Sequence, residues 1–229
     1  MCGRFTLHTE PGTIAAQFAL FDLRPFEPRY NIAPTQNVPV VRLAQDVAVP
    51  ARRLDWLRWG LVPGWADDPS IGNRMINARA DKAAEKPAFR AAFRHRRCLV
   101  VADGFYEWHT VGRRKQPYYI QLRDGRPFAF AGLWEVWEGS ANSSLETCTL
   151  LTTDANELLR PIHDRMPVIL PESAYELWLD PAVQEPDRLK PLLVPYPSEE
   201  MSLCPVSSRV NKAEFDSPEC IAEVNEGLF

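Results

Sequence analysis

The chain has no CxxC pair and no cysteine–histidine set at zinc-binding spacing, and its five cysteines (Cys2, Cys98, Cys148, Cys204, Cys220) are odd in number and widely scattered. This argues against a disulfide framework and a structural zinc site, and fits a reducing compartment. Long apolar runs are also missing. No stretch approaches eighteen consecutive apolar residues, and the opening CGRFTLHTEPGT has no apolar segment after basic residues. A membrane span, a secretory leader and lipoprotein processing at Cys2 are therefore disfavoured. Positive charge is not in excess either: the net charge is −4 and the sequence pI about 5.7, unlike the basic footprint of a duplex DNA binder. Repeats, low-complexity tracts and linkers are absent as well.

The basic residues are nevertheless clumped. Arg90, Arg94, His95, Arg96 and Arg97 fall within eight positions, and Arg113, Arg114 and Lys115 form a second group. Binding responds to the field at a site and not to the total charge, so an acidic protein can carry a cationic groove. For Gly112-Arg113-Arg114-Lys115 the expectation is a solvated hairpin tip.

With 229 residues and 45% hydrophobic content the chain can bury a large core, and one domain over 1–229 is expected. Strand-like segments recur between turn signals, at Val38 to Leu43, Leu54 to Leu61, Arg97 to Trp108, Tyr118 to Arg123, Phe128 to Trp137, Thr147 to Thr153 and Met166 to Leu170. Helices are expected over Gly12 to Leu20, Asp81 to Arg94 and Pro171 to Leu179, with one further turn at Asn156 to Pro161. The 21 prolines argue for many short elements joined by rigid turns. The fold class is α+β on a mainly antiparallel β core.

Cysteine at position two is the most informative feature. Removal of Met1 would leave its amine and thiol free on one carbon skeleton, a 1,2-aminothiol that no internal cysteine can offer. The amine condenses with an aldehyde to a Schiff base, and the thiol then closes a five-membered thiazolidine ring. Taken alone, Cys2 is better read as a chance cysteine, with Met1 retained or the thiol merely exposed; acid/base partners elsewhere decide its meaning.

Four motifs carry that chemistry. Phe105-Tyr106-Glu107-Trp108 sets a carboxylate among aromatics, where its charged form is disfavoured and it can shuttle protons; strand alternation could equally point Glu107 to solvent. His163, in Pro161-Ile162-His163-Asp164-Arg165-Met166-Pro167, sits on a proline-bounded loop as either a proton carrier or a partner of Asp164. In Ile76-Asn77-Ala78-Arg79, the Asn77 amide orients a substrate hydroxyl or caps the helix near Asp81, and Arg79 clamps phosphate or pairs with a carboxylate. Tyr30-Asn31-Ile32-Ala33-Pro34 reads as a rigid polar turn.

MCGRF, RYNIAPTQ, WGLVPGW, INARA, KPAFR, DGFYEW, IHDRMPVIL and a late Pro205-Val206-Ser207 with Val210-Asn211 run in order from Cys2 to about Pro218. In this set the chain resembles the SOS-response-associated peptidase (SRAP) family of abasic-site shielding proteins. The resemblance implies a barrel-like β core flanked by short helices. It also implies a covalent sensor of abasic sites in single-stranded DNA, acting in DNA damage repair through a thiazolidine crosslink. The family's nucleophile matches Cys2, its orienting asparagine Asn77, its catalytic glutamate Glu107 and its active-site histidine His163. Its DNA contacts match Arg4, Arg79 and Arg165, with Pro34, Trp65 and Trp108 on the surface that meets the strand. Asp81 stands where relatives often carry glutamate, and Ala66 where some carry a second tryptophan.

The implied reaction needs no cofactor and no metal. Its partner is single-stranded DNA bearing abasic sites, met by a monomer in the cytoplasm, nucleoid-associated if bacterial. Slow reversal and weak lyase activity are expected. The rivals are a thiol (auto)peptidase using Cys2 and His163, and a noncovalent single-strand binder that ignores replacement of Cys2.

Overall fold

The computed structural model describes residues 2–21, 23–44, 51–139 and 143–225. Five strands form one antiparallel sheet: β1 (Phe5–Leu7), β2 (Arg29–Ile32), β7 (Gly104–Val111), β8 (Arg114–Leu122) and β13 (Met201–Pro205), in the order β13-β8-β7-β1-β2. The rest belong to a larger sheet: β3 (Asn37–Leu43), β4 (Arg52–Trp59), β5 (Asn77–Arg79), β6 (Arg97–Ala102), β9 (Phe128–Glu138), β10 (Ser144–Asp154), β11 (Arg165–Pro167) and β12 (Ile169–Leu170). In it β10, β4, β3, β6 and β9 pair in turn, and β9 pairs back to β10. That closes a five-stranded barrel and removes the open edges a sheet otherwise presents. The seam is the parallel β4–β10 contact, through Arg58 with Thr147 and Trp59 with Cys148.

One apolar core joins the sheets. Phe5 of β1 meets Trp59 and Phe130 of the barrel edge-on, with ring centroids 5.2 and 5.8 Å apart, and Phe105 of β7 meets Phe130 at 5.9 Å. A smaller cluster covers the other face of β7 and β8, where Tyr106, Tyr119, Val206, Val210 and Cys220 are buried and Trp108 and Phe215 pack against them.

The mainly antiparallel α+β core agrees with the sequence reading, while several element boundaries differ. The run from Arg97 to Trp108 is two strands in different sheets, parted at Asp103. Met166 to Leu170 divides at Val168, whose N–H donates to Leu151 while its carbonyl accepts from Ala131, so β11 joins β10 and β12 joins β9. The helix expected over Asp81 to Arg94 is α2 (Ala80–Ala83) and α3 (Arg90–His95), separated around Pro87, which lacks the N–H a continuous helix needs. Pro171 to Leu179 is a 3-10 turn (Glu172–Ala174) leading into α4 (Tyr175–Leu179). Gly12 to Leu20 is α1 (Pro11–Phe18), opened by proline and stopped by Ala19 in the left-handed region at φ 53°. Tyr30 to Ile32 is strand, and the turn begins only at Ala33. The β7–β8 hairpin turns at Gly112 and Arg113, with Gly112 at φ 60°, while Arg114 and Lys115 are already the exposed start of β8.

Candidate active site

Strand pairing brings the N-terminal cysteine to the glutamate. β1 and β7 run antiparallel with Phe5 opposite Phe105, and the Tyr106 N–H donates to the Arg4 carbonyl at 3.0 Å. Residues preceding Phe5 therefore run beside residues following Phe105, taking Cys2 to Glu107. Phe105 and Glu107 share the strand face that looks into the main core, and Glu107 is only 3% exposed. The solvent-facing alternative for Glu107 fails because both faces of β7 are covered: Tyr106 and Trp108 point into the smaller cluster instead.

Asn77 comes from β5, which lies parallel to β10 with Asn77 opposite Leu150. Its Nδ2 donates to the Cys2 carbonyl at 2.8 Å, which also fixes which end of the amide is the oxygen. Its Oδ1 is buried and accepts no hydrogen bond among the described residues, so this atom is available to a donor on a ligand. The helix-capping alternative fails: the residue at the start of α2 is Arg79, with no side-chain cap.

His163 lies on the β10–β11 connection with its ring partly exposed. Its Nδ1 is 2.9 Å from the Arg165 backbone nitrogen and 2.9 Å from an Asp164 carboxylate oxygen. A backbone N–H only donates, so in the neutral ring Nδ1 accepts and the proton sits on Nε2; protonation of Nδ1 would favour Asp164 instead. The partnership with Asp164 foreseen for His163 is thus present.

Burial lifts the Glu107 carboxyl above the usual carboxylate range, and the nearby His163 pulls the other way. Burial, then the charge of Glu107, push the Cys2 thiol well up, so at neutral pH the sulfur carries its proton. This is the reverse of the low-pKa thiolate of a thiol peptidase.

The residues expected to meet DNA fall into two groups. Arg4 is turned inward: its guanidinium donates to Asn31 Oδ1 at 3.0 Å and to the Val210 carbonyl at 2.8 Å. The Trp108 indole donates to Asn211 Oδ1 at 2.7 Å, fixing the same C-terminal segment. By contrast Arg79 is exposed and forks onto Asp81, and Arg165 reaches Asp154 at 2.5 Å. Trp65 is 61% exposed, beside a cleft of about 490 Å³ that also takes in Ala66 and Arg74, and Pro34 is half-buried in the turn after β2. A separate cleft of about 850 Å³, lined by Arg42, Arg97 and Trp134 among others, contains none of these residues.

Sequence reasoning missed two residues that hold the site together. Asp103, 2% exposed at the β6–β7 break, accepts from Thr6 Oγ1, from the His8 and Thr9 backbone N–H groups at 2.6 and 2.8 Å, and from Thr9 Oγ1 at 3.1 Å. It pins the far end of β1. An Asp-Gly pair inside an apolar strand was the available signal. Asn31 donates from its one Nδ2 to the carbonyls of Val210, Lys212 and Phe215, at 2.8 to 3.1 Å. Nothing short of the fold brings those positions together.

A β-barrel docked on an antiparallel sheet carries a buried cysteine near the chain terminus, its carbonyl held by an asparagine and its thiol in the field of a buried glutamate that a histidine also influences, and this overall course is shared. It superposes on a crystal structure of a protein from Bacteroides thetaiotaomicron with a TM-score of 0.83, at 25% identity over 97% of this chain and 100% of that one. The profile of the SOS response associated peptidase (SRAP) family matches residues 1–213, and the chain belongs to that family. It is 45% identical to the abasic site processing protein YoqW of Bacillus subtilis, over 96% of this chain and 99% of that protein. The abasic site processing protein HMCES of Xenopus tropicalis is 34% identical, over 87% of this chain and 67% of the relative.

Proposed function

We propose that this protein captures abasic sites in single-stranded DNA covalently, through the amine and thiol of Cys2 once Met1 is removed. The carrying observation is the convergence on Cys2: Asn77 holds its carbonyl, and the buried Glu107 carboxyl, itself influenced by His163, is near enough for its charge to act on the thiol. The names of the relatives support the substrate class.

An abasic deoxyribose is mostly a closed hemiacetal, and His163 moves the proton that opens it to the C1′ aldehyde. The α-amine, with an ordinary pKa of roughly 7.7 to 8.0, has a useful neutral fraction. It attacks C1′, and loss of one water leaves a protonated Schiff base. The Cys2 sulfur then forms its bond to C1′, the iminium electron pair returns to nitrogen, and the thiol proton passes to Glu107. A sulfur that keeps its proton until this step suits the sequence, because the thiol acts second. Sulfur trapping competes with abstraction of the C2′ proton, which would break the strand, and the intramolecular geometry favours the ring. The product is protein plus DNA minus one water. Reversal uses the same groups.

Cys2→Ala retains an amine and loses the sulfur: the expected outcome is loss of the heat-stable adduct, with Schiff-base capture by borohydride and weak strand scission remaining. Intact mass after incubation with an abasic oligonucleotide reads this directly. A heat-stable adduct from Cys2→Ala would overturn the scheme. The noncovalent alternative requires equal binding of intact and abasic strands and no adduct from the unmodified protein.

A further inference from the structure

Arg79 and Arg165 share an open cleft of about 320 Å³ with a third cation, Lys190, which arrives from the turn after α5 (Pro186–Leu189); Asp81 and Asp154 line it too. Each cation is already matched to an acid. Arg79 forks onto Asp81 at 3.1 and 2.9 Å, Arg165 Nη1 meets Asp154 at 2.5 Å while its Nη2 donates to the Thr152 carbonyl, and Lys190 meets Asp187 at 2.9 Å. The carboxylates are exposed, at 47% for Asp81, 85% for Asp154 and 91% for Asp187. Pairs of this kind add little to stability, so the protein gives them up readily. The Arg165 stem is different: its side chain is 13% exposed, and its buried Nε has no partner among the described residues. Arg165 thus lines the cleft with its buried Nε unpaired among the described residues, and the other charges of the lining cancel.

We propose that Lys190 completes a three-cation seat for a backbone phosphate of the single strand, and that Asp81 and Asp154 are internal competitors which that phosphate displaces. This rests on the proposed function and adds a ligand residue and a control on affinity. A backbone phosphodiester presents two charged non-bridging oxygens in a tetrahedral arrangement and can accept from two guanidinium groups at once, whereas Asp81 and Asp154 each engage a single arginine. The competing acids keep the empty cleft near neutrality. That weakens adventitious anion binding and leaves binding to a strand whose other contacts deliver the phosphate at high local concentration.

The test is fluorescence anisotropy of an undamaged single-stranded oligonucleotide with the full chain across a salt series. Each phosphate contact on a single strand contributes about 0.7 to the slope of log affinity against log salt. Lys190→Ala is expected to lower the slope by about that amount and weaken binding several-fold at low salt, with Lys190→Arg restoring both. Asp154→Asn is expected to tighten binding several-fold at low salt, the gain shrinking as salt rises. An unchanged slope in Lys190→Ala overturns the proposal. So does weaker binding by a folded Asp154→Asn protein, which would make Asp154 an anchor for Arg165. Displacement of the strand by millimolar inorganic phosphate at constant ionic strength would overturn the assignment to a strand. Arg79→Ala and Arg165→Ala separate the levels: if they too leave the slope unchanged, the DNA face of the proposed function fails, whereas their response without one from Lys190 removes only this extension.

Discussion

Asp103 and Glu107 lie four positions apart, both almost wholly buried, and their surroundings could hardly differ more. Asp103 takes donors from Thr6, His8 and Thr9 on both of its oxygens, which is how a buried carboxylate becomes a fastener. Glu107 sits where burial favours its protonated form, facing Cys2 and His163. At similar depth the balance differs: Asp103, at the break just before β7, fastens the chain that follows β1, while within β7 burial outweighs the favourable charges and hydrogen bonds around Glu107.

The largest effect that sharpens this contrast is kinetic. Glu107→Gln is expected to slow crosslinking by roughly 10²-fold, measured by single-turnover gel assay at saturating abasic oligonucleotide, without loss of fold. Asp103→Ala strands the His8 and Thr9 amides and should cost about 3 kcal/mol, a fall in Tm of roughly 6–12 °C by calorimetry. A Tm within a degree of the parent would show that the β1 anchor lies elsewhere. Next comes pH. If Glu107 works as the carboxylate, the crosslinking rate should fall about tenfold per unit below its raised pKa, on a limb lying above the ordinary glutamate value of about 4.3. Persistence of that limb in Glu107→Gln would assign it to another group.

The smallest effect runs against intuition. A carboxyl whose folded pKa is raised binds its proton more tightly when native, so its favourable contribution is complete below the unfolded pKa and is lost as pH rises through the folded one. Glu107→Gln should therefore be more stable than the parent at pH 7, by about 1 kcal/mol, with the gap closing in acid.

Much of this was legible in the sequence. The Val-, Tyr- and Phe-rich runs forecast the strands, and of the motifs that the sequence singled out, those of Cys2 and Asn77 meet through the Asn77 amide and the Cys2 carbonyl. What stayed hidden depended on partners distant in the chain. Alternation left the direction of Glu107 undecided because it assumes that one face of a strand meets water; Val206, Val210 and Cys220 return to cover that face. The motif around Arg4 gave no sign that its guanidinium holds Asn31 and the Val210 carbonyl. The break at Asp103 was masked by apolar residues on either side, and the helix after Asp81 was overextended because amphipathic spacing continued across Pro87.

The burial of Cys2 bears on when its leading residue can be trimmed. The groups that enclose it belong to Asn77 and to the strand carrying Glu107, which leave the ribosome well after the amino end. At synthesis rates of 5–20 residues per second, the terminus trails unfolded for on the order of 5–20 s before that enclosure can assemble. For the removal of Met1 proposed above, an aminopeptidase therefore meets an open substrate during translation and a closed one afterwards, which makes trimming a matter of timing as much as of recognition.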